Sequence, residues 1–371
     1  MTRPGARRVV LLANGPGELW GWVRPLAAEL TGRGWDVSLR ILPCQFASGE
    51  EASVASSLRL SDVSGPESAL STALALSRRG KGEPPDAVIQ LGGDLMWGRM
   101  LARSSRAPLF CYTYGAKRGL SRCAAVYTAF PAMAESIERH GAAPVLVGDL
   151  AAEGLARPSR REGAGGPTVA FFPGSRREIF KYAVPLMERT AASLKELIPS
   201  LDARMVLSPF SGDEPNVEGL APVRGGESGS LDGVDFAVTQ PGTNTLELTH
   251  LSIPFLVAIP FSSLRHAPLS GLAGLVSRLP VAGLLLKEAA LRAKGKRLGF
   301  TAWPNRLAGR PVVDEISGDI TPEDIALRVA EHLHDEARMA RAREELSRIS
   351  ASAPSGAAAR MANQIEGALS T

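Results

Sequence analysis

The sequence predicts an α/β protein built as two successive domains, each a parallel sheet with helical crossovers. Three observations predict this class. Apolar runs of strand length alternate with amphipathic runs of helix length from the start of the chain. The strand-turn-helix opening at residue 8 recurs at residue 168. Between the two series, residues 157–167 crowd Pro, Ser, Arg and Gly into a polar, turn-rich stretch that reads as an interdomain linker. A chain of 371 residues is long enough for two domains that each bury a core.

In chain order, Arg8-Val9-Val10-Leu11-Leu12-Ala13 is a short apolar run that passes straight into the turn Asn14-Gly15-Pro16-Gly17-Glu18, so it reads as a buried strand and not as a leader. Residues 19–30 carry helical periodicity, and Val37-Ser38-Leu39-Arg40-Ile41-Leu42 completes a βαβ opening. Further strands are predicted at 87–91, 109–112, 124–127 and 145–147. The second series has strands at 168–172, 204–207, 235–238 and 254–258, with a helix over 182–197. Thr321-Pro322-Glu323-Asp324 supplies an N-cap, a proline at the first helical position and acids in the first turn. It opens a long helix through residue 333 that places His332 and His334 at the surface. The domains are expected at 1–160 and 161–335, with 336–371 an Ala- and Arg-rich helical tail returning to the first domain.

Composition narrows the function. Hydrophobic residues at 44% and charged residues at 22% describe a folded globular protein. A formal net charge of +4 suggests anionic company: a phosphorylated small molecule, an acidic membrane surface or nucleic acid. Aromatic residues at 5% argue against a stacking platform for single-stranded nucleic acid. Cys44, Cys111 and Cys123 lie far apart in sequence and the five histidines are scattered, so neither a metal site nor a disulfide framework is indicated and a reducing cytoplasm fits. Charge or proline interrupts every apolar stretch before ~18 residues, so no membrane-spanning helix is expected.

The candidate ligand turns lie at strand ends. Thr239-Gln240-Pro241-Gly242-Thr243-Asn244-Thr245-Leu246-Glu247 joins a short apolar strand to a helix. Gly242 allows close backbone approach, Thr243 and Thr245 bring hydroxyls, Asn244 opens the helix, and free N–H groups there face an anion. Glu247, one turn in, can accept bonds from a sugar diol; a capped helix with a surface glutamate is the other reading. Phe172-Pro173-Gly174-Ser175-Arg176 repeats the arrangement, with Gly174 and Ser175 able to wrap a phosphate and Arg176 able to stabilise a departing diphosphate. Two such turns in one half point to a nucleoside diphosphate. The Gly-x-Gly-x-x-Gly and Gly-Lys-Ser/Thr fingerprints are absent, against a dehydrogenase or an ATPase.

In the first half, Gly17, Glu18, Trp20 and Trp22 crowd the first strand-helix junction, either to hold a sugar or acyl group or as a tight turn with packed indoles. Asp94, in Leu91-Gly92-Gly93-Asp94, is a candidate general base on a hydroxyl nucleophile or else an N-cap. Residues 261–300 interleave leucines with Arg265, Arg278, Lys287, Arg292, Lys294, Lys296 and Arg297 against one acid, Glu288. This is either an anionic-membrane contact or a packed helix pair.

Pro16-Gly17-Glu18, Gly93-Asp94, Pro173-Gly174-Ser175-Arg176, Gly242-Thr243 with Leu246-Glu247, and above all Pro304-Asn305-Arg306-Leu307-Ala308-Gly309-Arg310 followed by Glu315, resemble the lipid-A-disaccharide synthase family over roughly residues 8–335. The resemblance implies a GT-B fold, two Rossmann-like domains facing each other across a cleft. It implies an inverting transfer of acylated glucosamine from a UDP-sugar to a lipid-linked sugar phosphate, with no cofactor, metal or nucleic acid. It further implies a peripheral protein at the inner face of the cytoplasmic membrane and a homodimer. The base is then Asp94 or Glu18, Arg176 assists the leaving group, and Gly174, Ser175, Gly242, Thr243, Asn244, Thr245 and Glu247 hold the donor. Gly17, Trp20, Trp97, Asn305 and Arg310 fall to the acceptor. Three departures mark a divergent relative: Trp97 stands where the family has a second aspartate, the first turn lacks the neighbouring serine and acid, and the segment after Asp149 lacks the histidine of the usual Gly-His pair. Another UDP-sugar enzyme on the same fold, a non-lipid transferase or a UDP-GlcNAc 2-epimerase, or a non-catalytic UDP-sugar or lipid binder, is the alternative.

Overall fold

The computed structural model describes residues 5–44, 51–58, 60–78, 83–159, 165–174, 177–209, 217–227, 229–260 and 299–370. The chain forms two compact units, one of residues 1–154 with 351–371 and the other of residues 155–350.

The first unit is a seven-stranded sheet of β1 (Arg8–Ala13), β2 (Asp36–Ile41), β3 (Asp62–Ser64), β4 (Ala87–Gln90), β5 (Leu109–Tyr112), β6 (Ala125–Thr128) and β7 (Pro144–Leu146), ordered β3-β2-β1-β4-β5-β6-β7. Every pairing is parallel. Parallel strands covered on both faces must be apolar nearly throughout, as in β4 and β5, where every residue is buried. The first helix begins earlier than its periodicity suggests, because Pro16 is preorganised for a helical start. It runs as Pro16–Glu18, a π-helical turn at Leu19–Val23 and Arg24–Gly32.

The second unit has β8 (Thr168–Phe172), β9 (Asp202–Leu207), β10 (Ala221–Arg224), β11 (Phe236–Thr239), β12 (Phe255–Pro260) and β13 (Asp314–Gly318), all parallel, ordered β10-β9-β8-β11-β12-β13. Alternate residues feed two cores. Phe171, Met205, Phe236 and Leu256 pack with helices Arg177–Leu197 and Pro322–His334, while Phe172, Val206, Phe255 and Val257 pack with Leu248 and Leu346. Each fully buried Phe or Leu contributes roughly 1.5–3 kcal/mol. Strands β3, β10 and β13 escape the sequence reading because at these sheet edges half-exposed positions take polar residues and no apolar run forms, whereas the edge strand β7 keeps the apolar Val145 and Leu146.

Two expectations are corrected. Helix Glu336–Ala351 belongs almost wholly to the second unit, since Met339 and Leu346 enter its two cores and Arg338 pairs with Asp314 at 2.8 Å. Only the last helix, Ala357–Ser370, returns to the first unit, burying Met361 and Ile365. Glu366 there accepts from Arg33 at 2.8 Å and from Trp35 Nε1 at 3.2 Å. His332 is not a surface residue: it is 5% exposed, its ring lies 4.9 Å from that of Phe236, and its Nε2 is 3.0 Å from Asp314 Oδ2. The Thr321 cap forms a full capping box with Asp324.

The hydrogen bond with His332, reinforced by the charge of Arg338, holds the Asp314 carboxyl below the usual carboxylate range. A depressed folded-state value stabilises the fold above the ordinary carboxylate pKa, and that contribution is lost as the pH falls through the depressed value. Asp314→Asn is therefore expected to cost about 1–3 kcal/mol at neutral pH, with the gap from the parent narrowing below about pH 4 in urea titrations. A gap that does not change with pH would assign the cost to packing alone.

Candidate active site

In the second unit β8 pairs with β11, Phe172 lying beside Thr239. Strand order reverses at this pair, so the turns that follow, Pro173-Gly174 and Gln240-Pro241-Gly242, leave the same carboxyl edge side by side where crossovers diverge. Gly174 sits at φ +86°, which an L side chain rarely adopts. Ser175 and Arg176 lie outside the described residues. Pro241, Gly242 and Thr243 are exposed. A Cβ on Gly242 would meet nothing within 4 Å, so no protein contact demands glycine there and the space is open. Thr243 precedes helix Asn244–His250 without a side-chain cap. The N–H groups of its first turn thus lack a side-chain acceptor.

Thr245 has a different role from the one expected. It is fully buried, its Oγ1 donates to Gly242 O at 2.8 Å and accepts from Trp303 N at 3.2 Å. The hydroxyl fixes the turn and does not face a ligand. Burial raises the Glu247 carboxyl to about 7, and no hydrogen bond to it is found among the described residues. Gln240 Nε2 is likewise buried without a partner among the described residues. The turn therefore carries an acceptor and a donor whose bonds remain to be made.

Asn305 and Arg310 stand in the second unit and are engaged internally. Asn305 is 1% exposed; its Oδ1 accepts from Val312 N and Val313 N at 2.6 and 2.9 Å, and its Nδ2 donates to Val313 O and Glu315 Oε1 at 2.9 and 2.7 Å. Glu315 also accepts from Thr301 N at 2.8 Å and Ala302 N at 3.1 Å. The Pro304 to Arg310 signature is thus a brace for the chain entering β13, and Arg310 pairs with Glu345 at 2.5 Å. Asn305 keeps no free polar group for an acceptor.

The first unit repeats the geometry. Leu12 lies beside Gln90, and Leu91 N donates to Leu12 O at 2.7 Å, so the turns after β1 and β4 are neighbours. Gly92 sits at φ +125° and a Cβ there would come within 3.0 Å of Asn14 Oδ1 and 3.1 Å of Glu18 Cγ. That close fit brings the Glu18 and Asp94 segments together. Asp94 is exposed and caps helix Leu95–Ser105, its Oδ1 accepting from Met96 N at 2.8 Å. Gly17 is exposed on the first helical turn. Trp20 has its ring covered by Arg24 at 3.7 Å. Trp97 is corrected: it is 8% exposed and packs in the core with Leu12, Val88 and Leu109.

Some residues near these turns are not visible to motif reading. Lys117 donates to Gly93 O at 3.1 Å, bringing a cation beside Asp94; its position in the loop after β5, another carboxyl end, was the available signal. Trp22 Nε1 donates to the Tyr114 hydroxyl at 3.0 Å, which donates to Asp149 at 2.5 Å. This buried chain packs the second indole of the first turn, which settles Trp22 as a structural residue. Asn14 Oδ1 and Gln90 Oε1 are buried without partners among the described residues.

Because burial lifts Glu247 from the ordinary glutamate range to about 7, the fold keeps its full stability at low pH and loses part of it as the pH rises through that value. Glu247→Gln removes the ionisation, and is expected to stabilise the unliganded protein by about 1–3 kcal/mol at pH 8 while changing little at pH 4.5. Guanidinium titrations at the two pH values measure this.

No protein-family profile matches the chain. Lipid-A-disaccharide synthase of Alkalilimnicola ehrlichii is 32% identical over 248 residues, covering 60% of this chain and 57% of the relative. The Burkholderia mallei enzyme of the same name is 26% identical over 294 residues, covering 71% and 69%. The chain thus spans little more than half of the first relative's length, 57%, and about two thirds of the second's, 69%. Among solved structures, S. aureus MnaA in complex with UDP superposes with a TM-score of 0.61 at 14% identity over 98% of this chain and 97% of that one. MurG of Acinetobacter baumannii gives 0.55 at 15% identity over 97% and 99%. The spinosyn rhamnosyltransferase SpnG with thymidine diphosphate gives 0.55 at 17% over 97% and 100%. These likenesses identify the fold as GT-B, with two Rossmann-like domains.

Proposed function

We propose that this chain, a divergent relative of the lipid-A-disaccharide synthases, is an inverting glycosyltransferase that moves an acylated glucosamine from a UDP-sugar to a lipid-linked sugar phosphate. It works without a metal as a peripheral protein at the inner, anionic face of the cytoplasmic membrane. The observation that carries this reading is the pairing of the Pro173-Gly174 and Gln240-Pro241-Gly242 turns on adjacent strand ends, with Glu247 one helical turn behind.

In this reading the diphosphate lies across the two turns, its charge met by backbone N–H groups and by Arg176, which follows Gly174 in sequence. Glu247 accepts from the ribose hydroxyls as a carboxylate. The free oxygen of Asp94, or the carboxylate of Glu18 beside it, takes the proton from the acceptor hydroxyl. That oxygen attacks the anomeric carbon from the face opposite the diphosphate, the carbon–oxygen bond to the diphosphate breaks, and UDP departs with the electron pair. Lys117 is placed to meet the acceptor phosphate.

Asp94→Asn and Glu18→Gln separate the two bases. The variant that loses the base should lower kcat by about 10²–10⁴-fold while leaving the Kd for UDP unchanged. Neither variant losing turnover would remove both from the chemistry. The test reaction uses UDP-diacylglucosamine with an acylated glucosamine phosphate as acceptor. Conversion of UDP-GlcNAc alone to its 2-epimer would instead assign an epimerase.

UDP affinity has its own pH signature. Ribose hydroxyl donors favour ionised Glu247, so Kd should fall as the pH rises through about 7. Glu247→Ala is expected to weaken UDP at pH 8 by about tenfold or more and to flatten that profile in calorimetric titrations. Failure of UDP and UDP-sugars to bind the parent at any pH would end the donor-site reading.

A further inference from the structure

The first unit contains a half-open cavity of about 480 Å³ that the proposed transfer does not use. It lies between the β1-β2-β3 side of the sheet and the carboxyl-terminal ends of helices Ala69–Ser77 and Leu95–Ser105. The cavity runs along this face of the sheet, from Pro84 and Pro85 before β4 to Arg40 and Ser64 near the carboxyl ends of β2 and β3, and none of its lining residues belongs to the turns that carry Glu18 and Asp94. The volume falls within the roughly 300–1,000 Å³ typical of small-molecule sites.

The lining divides by chemistry. Val10, Leu76, Leu101, Pro84 and Pro85 give an apolar wall. The serines of the polar side already bond to protein: Ser38 Oγ donates to Val9 O at 3.2 Å, Ser104 Oγ to Leu76 O at 2.6 Å and Ser105 Oγ to Leu101 O at 2.7 Å. Glu83 at the rim pairs with Arg8, and Asp62 and Arg78 are exposed there. Arg40 differs. It is half-buried on β2, its Nε donates to Ser64 Oγ at 3.2 Å, and no acceptor for its two terminal nitrogens is found among the described residues. Oriented through Nε, a guanidinium presents its remaining donors as a planar fork suited to a carboxylate or phosphate.

We propose that this cavity is a second ligand site, which binds a small amphiphilic anion with its carboxylate or phosphate on Arg40 and its hydrocarbon part against Val10, Leu76 and Leu101. The site shares no lining residue with the donor and acceptor turns and does not require the transferase reading.

Calorimetric titration of the whole chain with octanoate, octyl phosphate and octanol, all below micelle-forming concentrations, tests it. One saturable site per chain is expected, with the anions binding about tenfold or more tighter than octanol. Arg40→Gln should abolish that preference while leaving octanol binding intact, and Ala75→Phe, which fills the cavity, should abolish binding of all three. Circular dichroism and thermal midpoints verify that both variants fold. The tighter of the two anions identifies the head group, and UDP should displace neither. Absence of saturable binding, displacement by UDP, or binding that both variants leave unchanged overturns the assignment.

Discussion

The constraint on which the rest depends is the reversal of strand order at one parallel pair in each sheet. At β1/β4 and at β8/β11 the crossovers depart to opposite sides, so neighbouring strand ends are left uncovered by either helix. Backbone N–H groups at those ends cannot all be satisfied from within the sheet. Gly242, whose Cβ would enter open space, and Gly92, whose Cβ would collide with Asn14 and Glu18, illustrate the two ways glycine serves such a place. One leaves room for something absent from the protein, and the other lets two turns of the protein meet.

Much of the architecture was legible because buried parallel strands must be apolar on both faces, which produces runs such as Thr168-Val169-Ala170-Phe171-Phe172 that allow no competing reading. Three of the four edges were not legible for the converse reason; β7 was, because it carries the apolar run Val145-Leu146-Val147. β3, β10 and β13 pair on one side only, and their polar residues resemble loop sequence. His332 was misread because a polar side chain on an otherwise amphipathic helix ordinarily faces water, and its partner Asp314 lies on a strand that was itself unseen.

At the site, the positions of the turns were legible and the uses of individual side chains were less so. Thr245, Asn305 and Glu315 occur in motif-like runs, yet their polar atoms bond within the second unit. A motif records which residues stay together and does not separate those that touch a ligand from those that hold the turn. Burial and partner counting make that separation. Asn305 has its amide saturated, whereas Glu247 accepts no hydrogen bond among the described residues, so of the two only Glu247 has bonds left to offer within them. A carboxyl kept near neutrality by burial alone is unfavourable in the empty protein, and a ligand that brings hydroxyl donors removes the penalty on binding.

The same reasoning bears on the chemistry in the first unit. Trp97 stands one helical turn beyond Asp94, where an acid might have been sought, but the helix turns that position inward and the indole completes the core with Leu12, Val88 and Leu109. An acid at 97 in this packing would be buried among aliphatic side chains and would cost several kcal/mol to ionise. In the paired turns Asp94 uses one oxygen to cap its helix, while Glu18 approaches through the gap that Gly92 leaves. Lys117, held to the Gly93 carbonyl, sets a positive charge next to the Asp94 turn. Under the proposed reading, a cation so placed suits a phosphorylated acceptor.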